Sequence, residues 1–246
     1  MPAYSHLYKD AVPLDSVDLN FVSLFTIETR WSVYLLNSWK EITPECLQRL
    51  VRFIKPTTQG RHPVHYDKES SNSLLLAVYP NFNDGIIAKL FSLHLPVDAI
   101  SLWVDENLKA ELEAFCKTLG PLYKVKSCRD SLTQNAVDAL IEKFVPVDGG
   151  EFLLGQHLSK DQLEKLVVKC GMSDKKVGIT VAKEDDRSDD LTKFFNFEKY
   201  YSKKRISHGV VTGVRERAKL AIRAWRPTPN ELYFDWVEKD VAMILD

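Results

Sequence analysis

The sequence is poor in cysteine, and its cysteines have no metal-binding or redox spacing. Cys46, Cys116, Cys128 and Cys170 are the four cysteines among 246 residues, and no two of them form a CxxC pair. Most lie inside apolar periodic segments, which indicates reduced, buried thiols of a cytosolic protein rather than a disulfide framework. No base and orienting residue accompany Cys128 or Cys170, so a thiol hydrolase is excluded.

Long apolar runs and an excess of one charge are also missing. No run approaches the roughly 18 apolar residues that cross a bilayer, and the start at Met1 lacks the regions of a signal peptide. Thirty-three basic and thirty-four acidic residues give a net charge of −1. The surface as a whole therefore attracts neither nucleic acid nor an anionic membrane. These absences predict a cytoplasmic protein without nucleic-acid or membrane partners.

Two groups of polar residues contain side chains that can bind a metal ion. His62 and His65 flank Pro63, but no nearby cysteine or glutamate completes a ligand set. The charged stretch 184–190 lacks the glycine and the terminal glutamate of a calcium-binding loop. The sequence therefore predicts surface histidines, a solvated acidic loop and no metal.

Apolar residues make up 45% of the chain and aromatic residues 11%, which is enough for one large core or two small ones. Pro146 and the pair Gly149-Gly150 interrupt the pattern, and we place a division there between residues 1–148 and 149–246. Ser159 and Gln162 match a helix capping box, and Gly171 follows the last predicted helical position. Strands are predicted over 74–79, 85–91, 99–104, 123–128, 177–182, 194–201 and 232–237, and helices over 43–54, 106–119, 132–144, 159–170 and 211–225. This alternation predicts an α/β fold with mixed central sheets flanked by helices.

A basic, glycine-containing loop is the most informative stretch. Lys203, Lys204 and Arg205 precede His208-Gly209. Apolar residues then recur at intervals of three and four, which predicts a helix; they are Val211, Val214, Ala218, Ala221 and Trp225. Free N–H groups at a helix start, a glycine and nearby cations suit a phosphate or pyrophosphate. The cations on the other side of this helix are interpreted as a solvated face, because no aromatic residues alternate with them.

Two stretches resemble the glycine N-acyltransferase-like branch of the GNAT superfamily. The first is Arg205-Ile206-Ser207-His208-Gly209-Val210-Val211-Thr212-Gly213-Val214 followed by Ala218-Lys219-Leu220, which is similar to the acyl-CoA loop and helix of that family. The second runs from Val64-His65-Tyr66 through 74–78 and Tyr79-Pro80-Asn81-Phe82 to Ile86-Ile87, and is similar to the family's N-terminal half. The resemblance implies two GNAT-like halves, the second of which binds acyl-CoA.

The resemblance implies direct acyl transfer from acyl-CoA to glycine or another small amine. Backbone amides around His208, Gly209, Val210 and Val211 would hold the pyrophosphate, and Lys203, Lys204 and Arg205 would add positive charge. Glu198, placed on a predicted strand that leads into the loop, is the candidate base, and His208 is the second titratable candidate. Acyl-CoA is then a co-substrate, and no metal is required.

A second hypothesis remains open beside the transferase. Ile206 occupies a place where the family has glutamine or arginine, which favours a catalytically silent relative that regulates or binds another protein. Retained binding of CoA fits both hypotheses, so turnover would separate them. The family analogy would allow a mitochondrial location, but residues 1–29 contain no arginine and the prediction stays cytoplasm.

Overall fold

Ten strands form one mixed sheet in the computed structural model of the chain. The structure describes residues 26–28, 48, 51, 61–77, 84–104, 106–128, 132–183 and 190–243. The strands are β1 (Thr26–Glu28), β2 (Ser73–Ala77), β3 (Ala99–Trp103), β4 (Lys124–Ser127), β5 (Glu151–His157), β6 (Gly178–Ala182), β7 (Lys203–Ser207), β8 (Val210–Val214), β9 (Leu220–Trp225) and β10 (Glu231–Glu238). The helices are α1 (Asp84–Ser92), α2 (Lys109–Thr118), α3 (Gln134–Lys143), α4 (Lys160–Ser173), α5 (Phe197–Tyr200) and α6 (Lys239–Met243), with 3₁₀ turns at Lys68–Ser70, Glu106–Leu108 and Leu191–Lys193.

The order of the strands divides the sheet into two parts. β1 to β6 lie side by side in chain order and are all parallel. The last four strands form an antiparallel meander, which joins the parallel part through the pairing of β10 with β6. β1 and β7 are therefore the two outer strands of the sheet.

The parallel part is built from a repeated strand and crossover unit. Leu74, Ile100, Val125, Phe152 and Ile179 are register neighbours on successive strands and follow one another at 26, 25, 27 and 27 residues. Each crossover returns the chain to the next strand position in the same direction. Because such connections are right-handed, crossovers that always advance the same way place their helices on one face of the sheet.

The described helices form a single layer on one face of the sheet, which we call the core face. Phe91 of α1 stacks on Phe115 of α2 with ring centroids 4.7 Å apart. Thr133, the N-cap of α3, donates a hydrogen bond of 2.6 Å to Glu113 of α2. Gln162 of α4 reaches the carbonyl of Gln134 at the start of α3 at 3.3 Å. Helix side chains and the core-face strand residues belong to one hydrophobic cluster.

Local sequence signals account for the helix ends. Ser159 and Gln162 form the predicted capping box at the start of α4. The predicted stop at Gly171 is wrong, because α4 continues to Ser173 and Asp174 takes the left-handed conformation at its end, with φ of 56°. Gly171 lies inside the helix, at a position where an added Cβ would lie 2.9 Å from the Tyr201 hydroxyl oxygen.

Three predicted elements are wrong. Residues 85–91 were predicted as a strand but belong to α1, where the buried Ile87, Leu90 and Phe91 have helical spacing. Residues 194–201 are not a strand either, because they contain the end of a 3₁₀ turn and α5. The helix predicted over 211–225 is replaced by β8 and β9, of which β8 is rich in β-branched residues and both pair in register with their neighbours in the sheet.

The α/β class and the sheet flanked by helices are confirmed, as are the strands and helices predicted between residues 99 and 182, within a few residues at their ends. Most of the helix predicted over 43–54 lies outside the described residues, as does most of the acidic loop at 184–190.

The sheet continues across the proposed division at 148/149, since β4 pairs with β5. The two GNAT-like halves remain a prediction. None of the described helices is long and apolar enough to span a membrane.

Candidate functional site

The predicted phosphate loop forms the tight turn of a β-hairpin. Ser207 ends β7, Val210 starts β8, and only His208 and Gly209 lie between them. Both turn residues have positive φ, 47° for His208 and 76° for Gly209. Two consecutive residues of this kind define a type I′ turn, which matches the twist of the flanking strands. The glycine therefore serves the turn geometry.

This geometry removes the basis for a helix-start anion site. The backbone groups of β8 are used alternately by β7 and β9, so they do not converge on one point as those of a helix start would. Successive side chains of a strand also point to opposite faces. Lys203 and Arg205 thus lie on one face of the sheet and Lys204 on the other, so the three cations do not share a site.

Glu198 and His208 are not brought together. Glu198 lies in the first turn of α5, where its carboxylate accepts a hydrogen bond of 2.6 Å from Lys204 Nζ. This bond holds the pKa of the exposed Glu198 carboxyl below its ordinary value, which weakens it as a proton acceptor. Lys204 precedes His208 by four residues, about 13 Å along an extended strand. The two predicted catalytic residues therefore lie toward opposite ends of β7.

The face of the sheet opposite the helix layer, which we call the open face, carries the more developed cluster. One row of register neighbours crosses it with intermediate exposure at every position, and comprises Leu75, Ser101, Lys126, Leu153, Thr180, Tyr233 and Trp225. These residues alternate along their strands with the buried residues of the core face. The row gives the molecule a partly accessible surface that extends over seven strands.

Four side chains on β9 and β10 form an aromatic and ionic cluster on this face. The rings of Trp225 and Tyr233 lie 4.3 Å apart at an angle of 48°. The Arg223 guanidinium sits 5.3 Å from the Trp225 ring centroid and holds Asp235 through two hydrogen bonds, Nε to Oδ1 at 3.0 Å and Nη2 to Oδ2 at 2.6 Å. A bidentate pair of this kind fixes both side chains in orientation. The cluster is therefore preorganised.

The neighbouring strand leaves room for the tyrosine. A Cβ placed on Gly178 of β6 would lie 3.1 Å from the Tyr233 hydroxyl oxygen, so the phenol ring lies across this glycine. Partial burial, together with the negative charges of Asp235 and Glu151, raises the pKa of Tyr233. Tyr233 consequently stays a neutral phenol at physiological pH.

A second ion pair lies in the same register row of the open face as Asp235 and Arg223, on the other side of β6. Lys124 of β4 and Glu151 of β5 are register neighbours and form an ion pair of 2.6 Å. The Lys124 ammonium also lies 6.0 Å from the ring centroid of Tyr66, which belongs to the segment that precedes β2. Burial is the main reason that the pKa of Tyr66 is raised. Aromatic rings therefore accompany both ion pairs.

The sequence reasoning missed this cluster, although a signal for it exists. Arg223 and Trp225 alternate with the buried Ile222 and Ala224, and Tyr233 alternates with buried neighbours in the same way. The helix predicted over 211–225 is incompatible with this alternation in β9, so the cluster was not predicted.

Comparison of the chain with protein-family models, with curated proteins and with solved structures finds no match. The resemblance to the glycine N-acyltransferase-like family remains a prediction.

Proposed function

We propose that this chain is a binding protein without catalytic activity, which holds a protein partner against the open face of its sheet. The observation that carries the proposal is the preorganised cluster of Trp225, Tyr233, Arg223 and Asp235. Tyrosine, tryptophan and arginine are the residues that most often dominate the energy of protein interfaces. Their rigid placement reduces the entropy lost when a partner binds.

The charges of the open face favour protein over nucleic acid as the partner. Arg223 is neutralised by Asp235, and Lys124 by Glu151. Binding to a phosphate backbone needs cations that can release counterions, and these two cations already have carboxylate partners. A protein surface of mixed polarity can instead pack against the rings while both ion pairs remain intact.

The topology supports the same function. Among the described residues, the crossover helices between β2 and β6 lie on one face of the sheet, and one row on the other face keeps intermediate exposure over seven strands. Architectures built by repeating one strand and crossover unit use such extended surfaces for binding. Here the units recur at about 26 residues, within the range of known strand-containing repeats.

Peptide display on the immobilised full-length chain tests the proposal. The affinity of the enriched peptides is then measured for the native chain and for Trp225→Ala, Tyr233→Ala and Met172→Ala. Met172 is an exposed apolar residue of α4, on the helix side, and serves as the matched control. We expect both open-face variants to weaken binding by about tenfold or more and Met172→Ala to have no effect. Equal affinities for all four proteins would overturn the proposal.

An acyl-CoA-dependent N-acyltransferase acting on glycine or another small amine is the competing proposal. Its support is the resemblance carried by residues 205–214 and 64–87. Calorimetric titration with acetyl-CoA, followed by an assay for released CoA in the presence of glycine, tests this function. Binding that is coupled to turnover would replace the binding-protein proposal. A measurable heat of acetyl-CoA binding without release of CoA would indicate a CoA-binding protein without catalytic activity.

A further inference from the structure

Two hydrogen-bond donors on the open face have no partner in the described part of the chain. They are the indole N–H of Trp225 and the hydroxyl of Tyr233, whose rings contact one another. Both side chains keep intermediate exposure, and neither polar atom is among the buried ones. An indole N–H only donates, and a neutral phenol donates as well. The two rings therefore complement a molecule that brings hydrogen-bond acceptors next to apolar surface.

The charges of the open face restrict this molecule further. Both ion pairs neutralise their own charges, so the surface beside the rings selects no charged group. Lys126 is the charged member of the row that contains Trp225 and Tyr233, and it has intermediate exposure. It forms no ion pair or hydrogen bond with any residue that the structure describes. The complementary molecule is thus uncharged at the rings and carries a carboxylate at Lys126.

A proline-rich segment has this chemistry at the rings. Proline supplies an apolar ring and has no backbone N–H, so it brings an acceptor without a donor. In the polyproline II conformation the carbonyls form no internal hydrogen bonds and remain free to accept one. An α-helix instead uses its carbonyls within itself. Aromatic-lined grooves bind proline-rich segments in this way, because the segment is already ordered before it binds.

The spacing of the strands matches the pitch of such a segment. Strands lie about 4.8 Å apart, so two spacings measure about 9.6 Å. A polyproline II helix advances about 9.3 Å in each turn of three residues. A segment laid along the row with one proline between Trp225 and Tyr233 therefore places the third residue onward over Thr180 and Leu153. The sixth residue onward then lies over Lys126.

We propose that the open-face row binds a proline-rich segment of a partner protein, with a carboxylate of that segment paired to Lys126. This inference rests on the proposed binding function and names the class of its ligand. One proline packs on the rings of Trp225 and Tyr233, and the proline three residues away packs on Leu153. The two free donors bind carbonyls of the segment.

A designed peptide tests the proposal on the full-length chain. The probe is a fluorescent, end-blocked peptide of six prolines between two glutamates, so that either chain direction brings a carboxylate to Lys126. Replacement of all prolines by alanine keeps the charges but removes the rings and the fixed φ. Replacement of both glutamates by glutamine keeps the rings but removes the charges. Binding is followed by fluorescence anisotropy.

We expect the proline probe to bind and the alanine peptide to bind at least about tenfold more weakly. The glutamine peptide should bind about fivefold more weakly than the probe at about 50 mM salt, and this difference should shrink at about 300 mM. Equal binding of the proline and alanine peptides, or no binding of the probe at about 1 mM, would overturn the proposal.

Protein variants locate the binding, and circular dichroism checks that each variant is folded. Tyr233→Phe removes one free donor and keeps the ring, whereas Tyr200→Phe makes the same change on the helix side, where the hydroxyl binds Glu164. We expect the first to weaken binding about threefold or more and the second to leave it unchanged. Lys126→Glu should weaken binding of the probe about fivefold, but not that of the glutamine peptide. Lys165→Glu, the same charge change on the exposed side of α4, should change it less than about twofold. Equal effects of the two charge reversals would overturn the proposal.

The ligand class and the binding function fail in different ways. Display-selected peptides that lose affinity in Trp225→Ala, without proline-rich sequences among them and without binding of the proline probe, would keep the open face as a binding site and reject this ligand. Display-selected peptides that bind Trp225→Ala as tightly as the native chain, again without binding of the probe, would reject both.

Discussion

Substitution of Gly209 by alanine distinguishes the hairpin from the helix start that the sequence predicted. Gly209 has φ of 76°, and an added Cβ would meet no atom within 4 Å. The cost is therefore conformational and not steric. A left-handed backbone costs an L-residue about 1–2 kcal/mol, and the reduced freedom of the unfolded chain offsets about 0.4–1 kcal/mol of this. We expect Gly209→Ala to destabilise the protein by about 1 kcal/mol.

The assay is equilibrium unfolding in urea, followed by far-UV circular dichroism. Gly120→Ala is the matched control, because its Cβ would also meet nothing within 4 Å and its φ is not positive. That variant should be neutral or slightly stabilised. If residue 209 instead opened a helix, alanine would be favoured over glycine by up to about 1 kcal/mol. A Gly209→Ala protein as stable as the native chain, or more stable, would refute the hairpin.

Three further predictions concern the stability of the fold. Phe152→Ala should cost about 3–5 kcal/mol in urea unfolding, because the ring is fully buried and packs edge to face on Phe144; a loss below about 1 kcal/mol would contradict a central position. Ser159→Ala should cost about 1 kcal/mol through loss of the capping box, and an unchanged midpoint would contradict that role. Hydrogen bonds from Lys117, Thr133 and Asn135 lower the pKa of Glu113 to about 2. Because this pKa is lower in the folded state than the unfolded value of 4.5, the ionised carboxylate stabilises the folded protein above pH 4.5, and this stabilisation is lost as the pH falls toward 2. Glu113→Gln should therefore flatten the dependence of the unfolding free energy on pH between these values. An unchanged dependence would contradict the role of Glu113.

Elements with a single clear period could be predicted from sequence. The capping box of Ser159 and Gln162 and the helical spacing of Leu112 and Phe115 each have one reading, and the structure confirms α4 and α2 there. No strand was predicted at β5 (Glu151–His157), but the strand predictions at β3, β4 and β6 are confirmed as well. Local patterning determined these elements because nothing competed with it.

The wrong element predictions lie where the apolar residues of one stretch fit both the helical period and the strand period. Apolar residues between 211 and 225 fit a helix when Val211, Val214 and Ala218 are counted, but Leu220, Ile222 and Ala224 fit a strand, and pairing with β10 decides in favour of the strand. The sequence predicts a phosphate-loop glycine at Gly209 because the sign of φ is not visible in the sequence. The open-face cluster depends on the register between β9 and β10, which brings together residues that local spacing does not relate.

The position of a bound peptide distinguishes binding at the open face of the sheet from binding at the helix layer. The full-length chain, labelled with ¹⁵N, is titrated with the tightest display-selected peptide, and the Trp225 indole signal is assigned by its loss in Trp225→Phe. We expect the largest chemical-shift changes at the Trp225 indole and at the backbone amides of Thr180 and Tyr233. Changes confined to the helix layer around Glu142 and Met172, with the Trp225 indole unmoved, would contradict it.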